Sequence, residues 1–319
     1  MREIGGYIEF EHYNGQILHE DAIALNSGRN CLAYLIRAKK IKKIWLPYFL
    51  CDSVKKVCER EAVEINYYRI NEKFLPENIS LADDEWIYVV NYYGQLTDDE
   101  IEKLKNKYTR IVVDYAQAYF QMPIKGVDTL YTCRKYFGVT DGAFLYTDVI
   151  LEEEIETDFS YDRMQFLLGR FEKTASEFYE EYSLNNKMFV SETIKHMSKL
   201  TKNLLRGIDY SNVKERRTNN FAFLHEELGA LNRIPIKLVD GAFMYPFYCE
   251  NASEVRKELQ KRKIYIPTLW PNVLSDVKAT DLEYLYAHNI LPLPVDQRYD
   301  KSDMKYLTEV IKDVLFKRT

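Results

Sequence analysis

Residues 109–146 read TRIVVDYAQAYFQMPIKGVDTLYTCRKYFGVTDGAFLY, and their reading decides the fold. The apolar run Ile111 to Val113, with its lead-in Thr109, passes straight into Asp114, as a buried strand ending in a carboxylate does. A second run, Val127 to Tyr131, leads into Thr132, Cys133, Arg134 and Lys135. A third, Ala143 to Tyr146, follows a turn marked by Gly138 and Gly142. Asp114 and Lys135 are therefore expected side by side at strand ends. Taken singly, Asp114 caps a turn and Lys135 is a solvated surface lysine. Arg134 beside Lys135 is a cationic neighbour that disfavours the ammonium form of the amine.

Upstream, Ala22 to Leu25 reads as a short strand, followed by Asn26-Ser27-Gly28-Arg29-Asn30 and a helix with Leu32, Leu35 and Ile36 on one face. Ser27 is a cap-type residue and Gly28 lets backbone amides approach a ligand, so this helix N-terminus suits an anion; a simple capped helix reads the same way. Ile44 to Pro47 is a strand stopped by proline, and Tyr48 to Cys58 reads as a helix opening at its C-terminal edge, where parallel α/β sheets bind ligands. Val63 to Tyr68 and Trp86 to Val90 are further strands. Thr97-x-x-Glu100 is a capping box opening a helix with Ile101 and Leu104 inward. Between them, Asn91-Tyr92-Tyr93-Gly94-Gln95 is either a ligand-contacting loop or a tight connection. Strand alternating with helix up to Tyr146 predicts a three-layer α/β domain, a mostly parallel sheet with helices on both faces.

From Glu152 to Ala230 the pattern turns to long helical stretches, read as bridging and dimer-contacting. Beyond about Ile234, Gly241 to Cys249 is expected as a strand, Ser253 to Lys261 as a helix and Ile264 to Pro267 as a strand. A final amphipathic helix follows the cap Ser302, with Leu307, Val310, Ile311, Val314 and Leu315 on one face. The expected organisation is a large domain over 15–230, with bridging helices from about 152, and a small α+β domain over 231–319. Residues 1–14 pack on the small domain or on a partner subunit. Trp270 and Arg298 lie in polar-aromatic loops able to reach the cleft; Arg298 suits a carboxylate or phosphate, or a structural ion pair.

The pattern strand-Asp114-x-x-Gln117, then strand-Thr132-x-x-Lys135, then a glycine-bearing turn and strand, resembles the DegT-type sugar aminotransferases, pyridoxal-phosphate (PLP) enzymes of the aspartate-aminotransferase superfamily and fold type I. The resemblance implies that Asp114 pairs with the pyridine nitrogen, Gln117 faces the ring hydroxyl and Lys135 carries the cofactor covalently. It places the phosphate at Ser27, Gly28 and Arg29, where Arg29 stands for the family's usual Thr, and at Thr132. Tyr48 or Phe49 would stack on the ring, or Cys51 by strict spacing, with core packing equally open to Phe49. Tyr92 and Tyr93, in a turn similar to His-x-Tyr-Gly-Gln with Asn91 for His, would meet substrate together with Trp270 and Arg298. The family's cross-subunit Gly-x-Asn-x-Arg-Met segment has no counterpart, Leu184-Asn185-Asn186-Lys187 being the nearest. The implied activity is transamination of a keto-sugar nucleotide with glutamate as donor, in surface polysaccharide or related sugar biosynthesis, by a homodimer. Other PLP chemistry on the same fold, or a binding or regulatory protein that kept it, are the alternatives; Lys135 argues against the dehydratases of this fold, which carry His there.

Composition narrows the classes. The 319-residue chain is 46% hydrophobic and 29% charged, an ordinary globular balance. A net charge of −5 offers no basic excess for a nucleic-acid partner. Cys31, Cys51, Cys58, Cys133 and Cys249 form no CxxC pair, and the histidines show no metal spacing, so neither zinc nor a disulfide framework is expected. No apolar run approaches about 18 residues and no basic-then-apolar leader is seen, which leads to expecting a cytoplasmic protein without a membrane partner.

Overall fold

A computed structural model describes residues 4–77 and 79–316. Strand β1 (Ile23–Leu25) runs through Ser27 into helix α1 (Gly28–Ala38), and β2 (Lys43–Pro47) is followed by α2 (Asp52–Arg60). Next come β3 (Glu64–Tyr68), β4 (Trp86–Val90), α3 (Asp98–Lys107), β5 (Ile111–Asp114), β6 (Asp128–Thr132) and β7 (Ala143–Tyr146). They form one seven-stranded sheet of order β1-β7-β6-β5-β4-β2-β3 with flanking helices. The pairs from β3 through β6 are parallel, whereas β7 is antiparallel to both β6 and β1. Two reversals restore direction, so β1 runs the same way as β6. Its C-terminal end, and with it Ser27 and Gly28, joins the C-terminal edge of the parallel strands.

The strict alternation of strand and helix does not hold. Among the described residues, only α1, α2 and α3 connect strands of the sheet, and the crossings over 69–85 and 115–127 show no α-helix. In 115–127 the chain is held by successive turns, and Pro123 and Gly126, the latter at φ +76°, oppose helix continuation. The helix expected from Tyr48 starts at Asp52 instead, because the Tyr48 amide still bonds the Tyr68 carbonyl as an extension of the β2–β3 ladder. The Thr97 capping box forms as read, with Ile101 and Leu104 buried.

The region after β7 is less helical than expected. It holds α4 (Gln165–Glu172), α5 (Tyr179–Met188) and α6 (Lys199–Arg206), all short, before the 19-residue α7 (Tyr210–Leu228). The remaining elements are β8 (Met244–Tyr248), α8 (Ala252–Lys261), α9 (Val273–Asp276), α10 (Leu282–Asn289), β9 (Ile290–Pro294) and α11 (Lys301–Phe316). The strand expected over Ile264 to Pro267 is absent; β8 pairs antiparallel with β9 instead. Pro292 and Pro294 disguise β9 in the sequence, since proline is tolerated only where its missing N–H goes unused, as on an edge. Asp300 rather than Ser302 caps α11, accepting the amides of Ser302 and Asp303.

One hydrophobic cluster surrounds the large sheet, and a second joins α7, α8, α11, β8 and β9. The second includes Phe221, Leu224 and Leu228 of α7, a helix that ends before residue 231. The exposed Ile4, Tyr7 and Ile8 pack on neither cluster.

Inside the first cluster, His19 is fully buried. Its Nε2 donates to the Tyr119 carbonyl (2.9 Å), Nδ1 lies 3.1 Å from the Tyr146 hydroxyl, and the Tyr131 ring packs 4.1 Å away. Burial lowers its pKa to about 4, against the smaller opposing pull of the Tyr119 carbonyl. The unfolded chain binds this proton near pH 6.5 and the native one only near 4, so stability falls as pH drops through that window, by on the order of 3 kcal/mol. Denaturant titrations between pH 7 and 4 should show the loss, and His19→Gln should flatten it.

Candidate active site

The register brings the site together. Asp114 lies opposite Val90 of β4 and Leu130 of β6, while Thr132, Ala143 and Leu25 line up across β6, β7 and β1. The Gly142 amide bonds the Asn26 carbonyl (2.8 Å) and the Cys133 amide bonds the Gly142 carbonyl (3.0 Å), tying the start of α1 to the Lys135 turn. Gly142 sits at φ +111°, and a Cβ there would come within 3.0 Å of Thr201 and 3.3 Å of the Cys133 sulfur. A glycine is needed at that join.

Asp114 is 8% exposed. One carboxylate oxygen accepts the Tyr88 hydroxyl (2.8 Å) and the other the Ala116 amide (2.7 Å), which fixes the plane of the group and leaves lone pairs for a further donor. Burial raises its pKa, opposed by the Lys135 charge, the Ala116 amide and the Tyr88 hydroxyl.

Lys135 occupies a turn in which the Tyr136 and Phe137 amides both bond the Cys133 carbonyl. Its side chain is exposed to solvent on one side while protein surrounds the rest. Its Nζ lies 5.4 Å from the centre of the Phe243 ring. Desolvation is the largest influence and lowers the amine's pKa; Asp114 and Cys51 oppose this, and Arg134 and Arg29 add to it. Asp114 is thus within electrostatic reach without forming an ion pair.

At the same edge, Ser27 accepts the Asn30 amide (3.2 Å) as the cap of α1. The Gly28 and Arg29 amides have no acceptor among the described residues. A Cβ on Gly28 would point into the space before Thr132, 3.9 Å from its Cβ and 3.7 Å from Leu130. The two amides without acceptors, the α1 N-terminus and Thr132 lie close together at this edge. This donor set is what a phosphate monoester requires.

The other expected residues divide. Cys51 is half-buried at the start of α2 and close enough to Lys135 and Arg29 to influence both. Tyr48 stacks on Tyr67 (4.9 Å between ring centres), and Phe49 is buried against Tyr92 and Trp270. Of the three ring-stacking candidates, the geometry brings Cys51 to Lys135 and commits Phe49 to the core. Gln117 is buried and its Oε1 accepts the Tyr93 amide (2.7 Å), holding Tyr93 at φ +54°. Tyr92 and Tyr93 are both buried, the Tyr92 hydroxyl donating to the Phe49 carbonyl. Trp270 packs on Phe49 and Tyr92, and Arg298 forms a bidentate pair with Asp296.

Four partners were not among the expected site residues, although Asn186 and Gln297 lie in stretches the sequence singled out. Tyr88, one strand over, is seen only through the register. Phe243 and Gln297 come from the C-terminal part, Gln297 bonding the Tyr136 carbonyl (2.8 Å). Asn186 of α5 accepts the Arg134 guanidinium through its side chain and Arg29 through its carbonyl (3.4 Å). A cavity of about 360 Å³ beside β1, lined by Ile17, Ala24, His196 and Met197, takes in none of the expected site residues. No metal-ligating cluster of three or more His, Cys, Asp or Glu occurs among the described residues, and no helix there is long and apolar enough to cross a membrane.

No protein-family model and no curated protein matches this chain. Solved structures do. The sugar aminotransferase CalS13 from Micromonospora echinospora superposes with a TM-score of 0.60 at 14% identity, over 93% of this chain and 88% of that one. A DegT DnrJ EryC1 StrS aminotransferase from Brucella abortus gives 0.62 at 14% identity over 92% and 85%. NtdA from Bacillus subtilis, with bound cofactor PMP, gives 0.66 at 14% identity over 92% and 73%. The fold is that of the fold type I PLP transferases. The seven-stranded sheet with its flanking helices agrees with this.

The lowered amine pKa has a direct test. Lys135 should react with cyanate at lower pH than the other lysines, measured by peptide mass spectrometry. Asp114→Asn removes a negative charge that favours the ammonium, so it should shift that reactivity to still lower pH; an upward shift would contradict the electrostatics.

Proposed function

We propose that the protein is a PLP-dependent aminotransferase acting on a keto-sugar nucleotide, with glutamate as amino donor. The observation that carries this reading is the convergence, at one sheet edge, of a buried carboxylate, a lysine whose amine pKa is lowered and a helix N-terminus with two amides that have no acceptor among the described residues. The fold shared with sugar aminotransferases such as CalS13 supports it.

The residues fit the cofactor. Asp114 and Lys135 are each costly to ionise where they lie, and a pyridinium ring against Asp114 would supply the missing counter-charge. Gly28, Arg29 and Thr132 would take the phosphate. When bound, PLP supplies an electrophilic carbon and a ring that accepts electrons. Asp114, oriented by Tyr88 and Ala116, would hold the proton on the ring nitrogen. Gln117, with its Oε1 used by Tyr93, has its amide nitrogen left to donate to the ring hydroxyl. Lys135 Nζ, neutral at lower pH than an ordinary lysine, would serve as the base that removes the donor's α-proton and as the acid that gives it back.

The homodimer is part of the proposal. Exposed Phe171, Tyr179 and Leu184 on and beside α4 and α5, with Ile4, Tyr7 and Ile8 of the N-terminal arm, are apolar surface that a second copy would cover. Location in the cytoplasm is supported by five free thiols.

Purified protein supplied with PLP should show an absorption band in the visible edge of the near ultraviolet that borohydride removes and Lys135→Ala lacks. Glutamate should convert it to the pyridoxamine form, and Asp114→Asn should cut turnover by about 100-fold or more while retaining cofactor. A colourless protein indifferent to PLP would overturn the reading.

A further inference from the structure

We propose that Arg29 and Arg134 form a two-guanidinium site for a phosphoryl group beside Lys135, with Asn186 holding both arginines in place. Arg29 extends from the first turn of α1 and Arg134 immediately precedes Lys135, so the two approach from different elements. They meet on Asn186, whose side-chain oxygen accepts Arg134 and whose carbonyl accepts Arg29 at 3.4 Å. Arg134 also lies 4.6 Å over the Phe189 ring.

Neither guanidinium has a carboxylate within ion-pair distance among the described residues, and the nearby acids are engaged. Asp52 bonds Lys56, Asp141 takes the Ser198 and Thr201 hydroxyls, and Asp158 pairs with Arg163 at 2.8 Å. Arg163 provides an internal comparison: it too lies over Phe189, at 5.6 Å, yet it has its acid.

A structural arginine looks different in this protein. Arg217 is 1% exposed and its donors reach the Ala242, Phe243 and Tyr136 carbonyls and the Gln297 side chain. Among the described residues, Arg29 and Arg134 each make one hydrogen bond, to a neutral group, and both remain partly open to solvent. Their other donors are free for a ligand. Burial lowers the Arg134 pKa to about 10, and the charges of Arg29 and Arg163 add to that strain, which an anion would relieve. The planar forks of two arginines beside the free amides of α1 match the several oxygens of a phosphoryl group. Its source, resting on the aminotransferase reading, is the cofactor's phosphate or the diphosphate of a nucleotide sugar.

Titration calorimetry on the full chain separates the possibilities. Inorganic pyrophosphate should bind the wild type, and Arg29→Gln and Arg134→Gln should each weaken it about 10- to 100-fold, with Arg134→Lys keeping part of the affinity. Thermal unfolding without ligand should be little changed in both Gln variants. If Arg134→Gln weakens PLP but not pyridoxal, the cofactor's phosphate is the ligand; if it weakens a uridine diphosphate sugar but not PLP, the substrate's is. Arginine-dependent pyrophosphate binding in a protein that ignores PLP would sink the aminotransferase reading and leave this site standing. Unchanged affinity for pyrophosphate, PLP and the nucleotide sugar in both Gln variants would overturn the proposal.

Discussion

The parallel pairing of β5 with β6 is the constraint on which the site depends. It sets Asp114 opposite Leu130, so a carboxylate ending one strand and a lysine five residues beyond its partner position emerge at one edge. An antiparallel pair would have sent them to opposite edges. The two reversals through β7 then return β1 to the same direction, and the α1 N-terminus joins them. Three short stretches far apart in sequence thus converge because of strand direction.

Electrostatics gives that convergence its chemical meaning. Burial pushes Asp114 toward its neutral acid and Lys135 toward its neutral amine, and the two are too far apart to satisfy each other as an ion pair. Arg29 and Arg134 add positive charge without carboxylate partners. Such an arrangement is costly for the folded chain alone, and a ligand carrying a cationic ring and an anionic tail balances it. Tyr88, Ala116 and Asn186 hold the groups in place meanwhile.

Much of this was legible in the sequence because the signals were local. An apolar run ending in Asp114, Ser27-Gly28 before an amphipathic helix and the Thr97 capping box each occupy a few residues. What escaped was non-local or disguised. Tyr88 reaches Asp114 only through the β4–β5 register, and Asn186 lies in a stretch read as a poor match. Phe49, for which ring stacking and core packing were both open, packs on Tyr92 and Trp270. The strand Ile290–Pro294 carries two prolines that argue against a strand, and Ser302 hid the true cap, Asp300, two residues earlier. Local preference gave way there to tertiary pairing.

Lys135 and Asp114 are proposed to address one cofactor. The most direct test of this is peptide mapping of the PLP-treated, borohydride-reduced protein. The account predicts a single phosphopyridoxyl adduct, on Lys135; an adduct spread over surface lysines, or absent from Lys135, would contradict it.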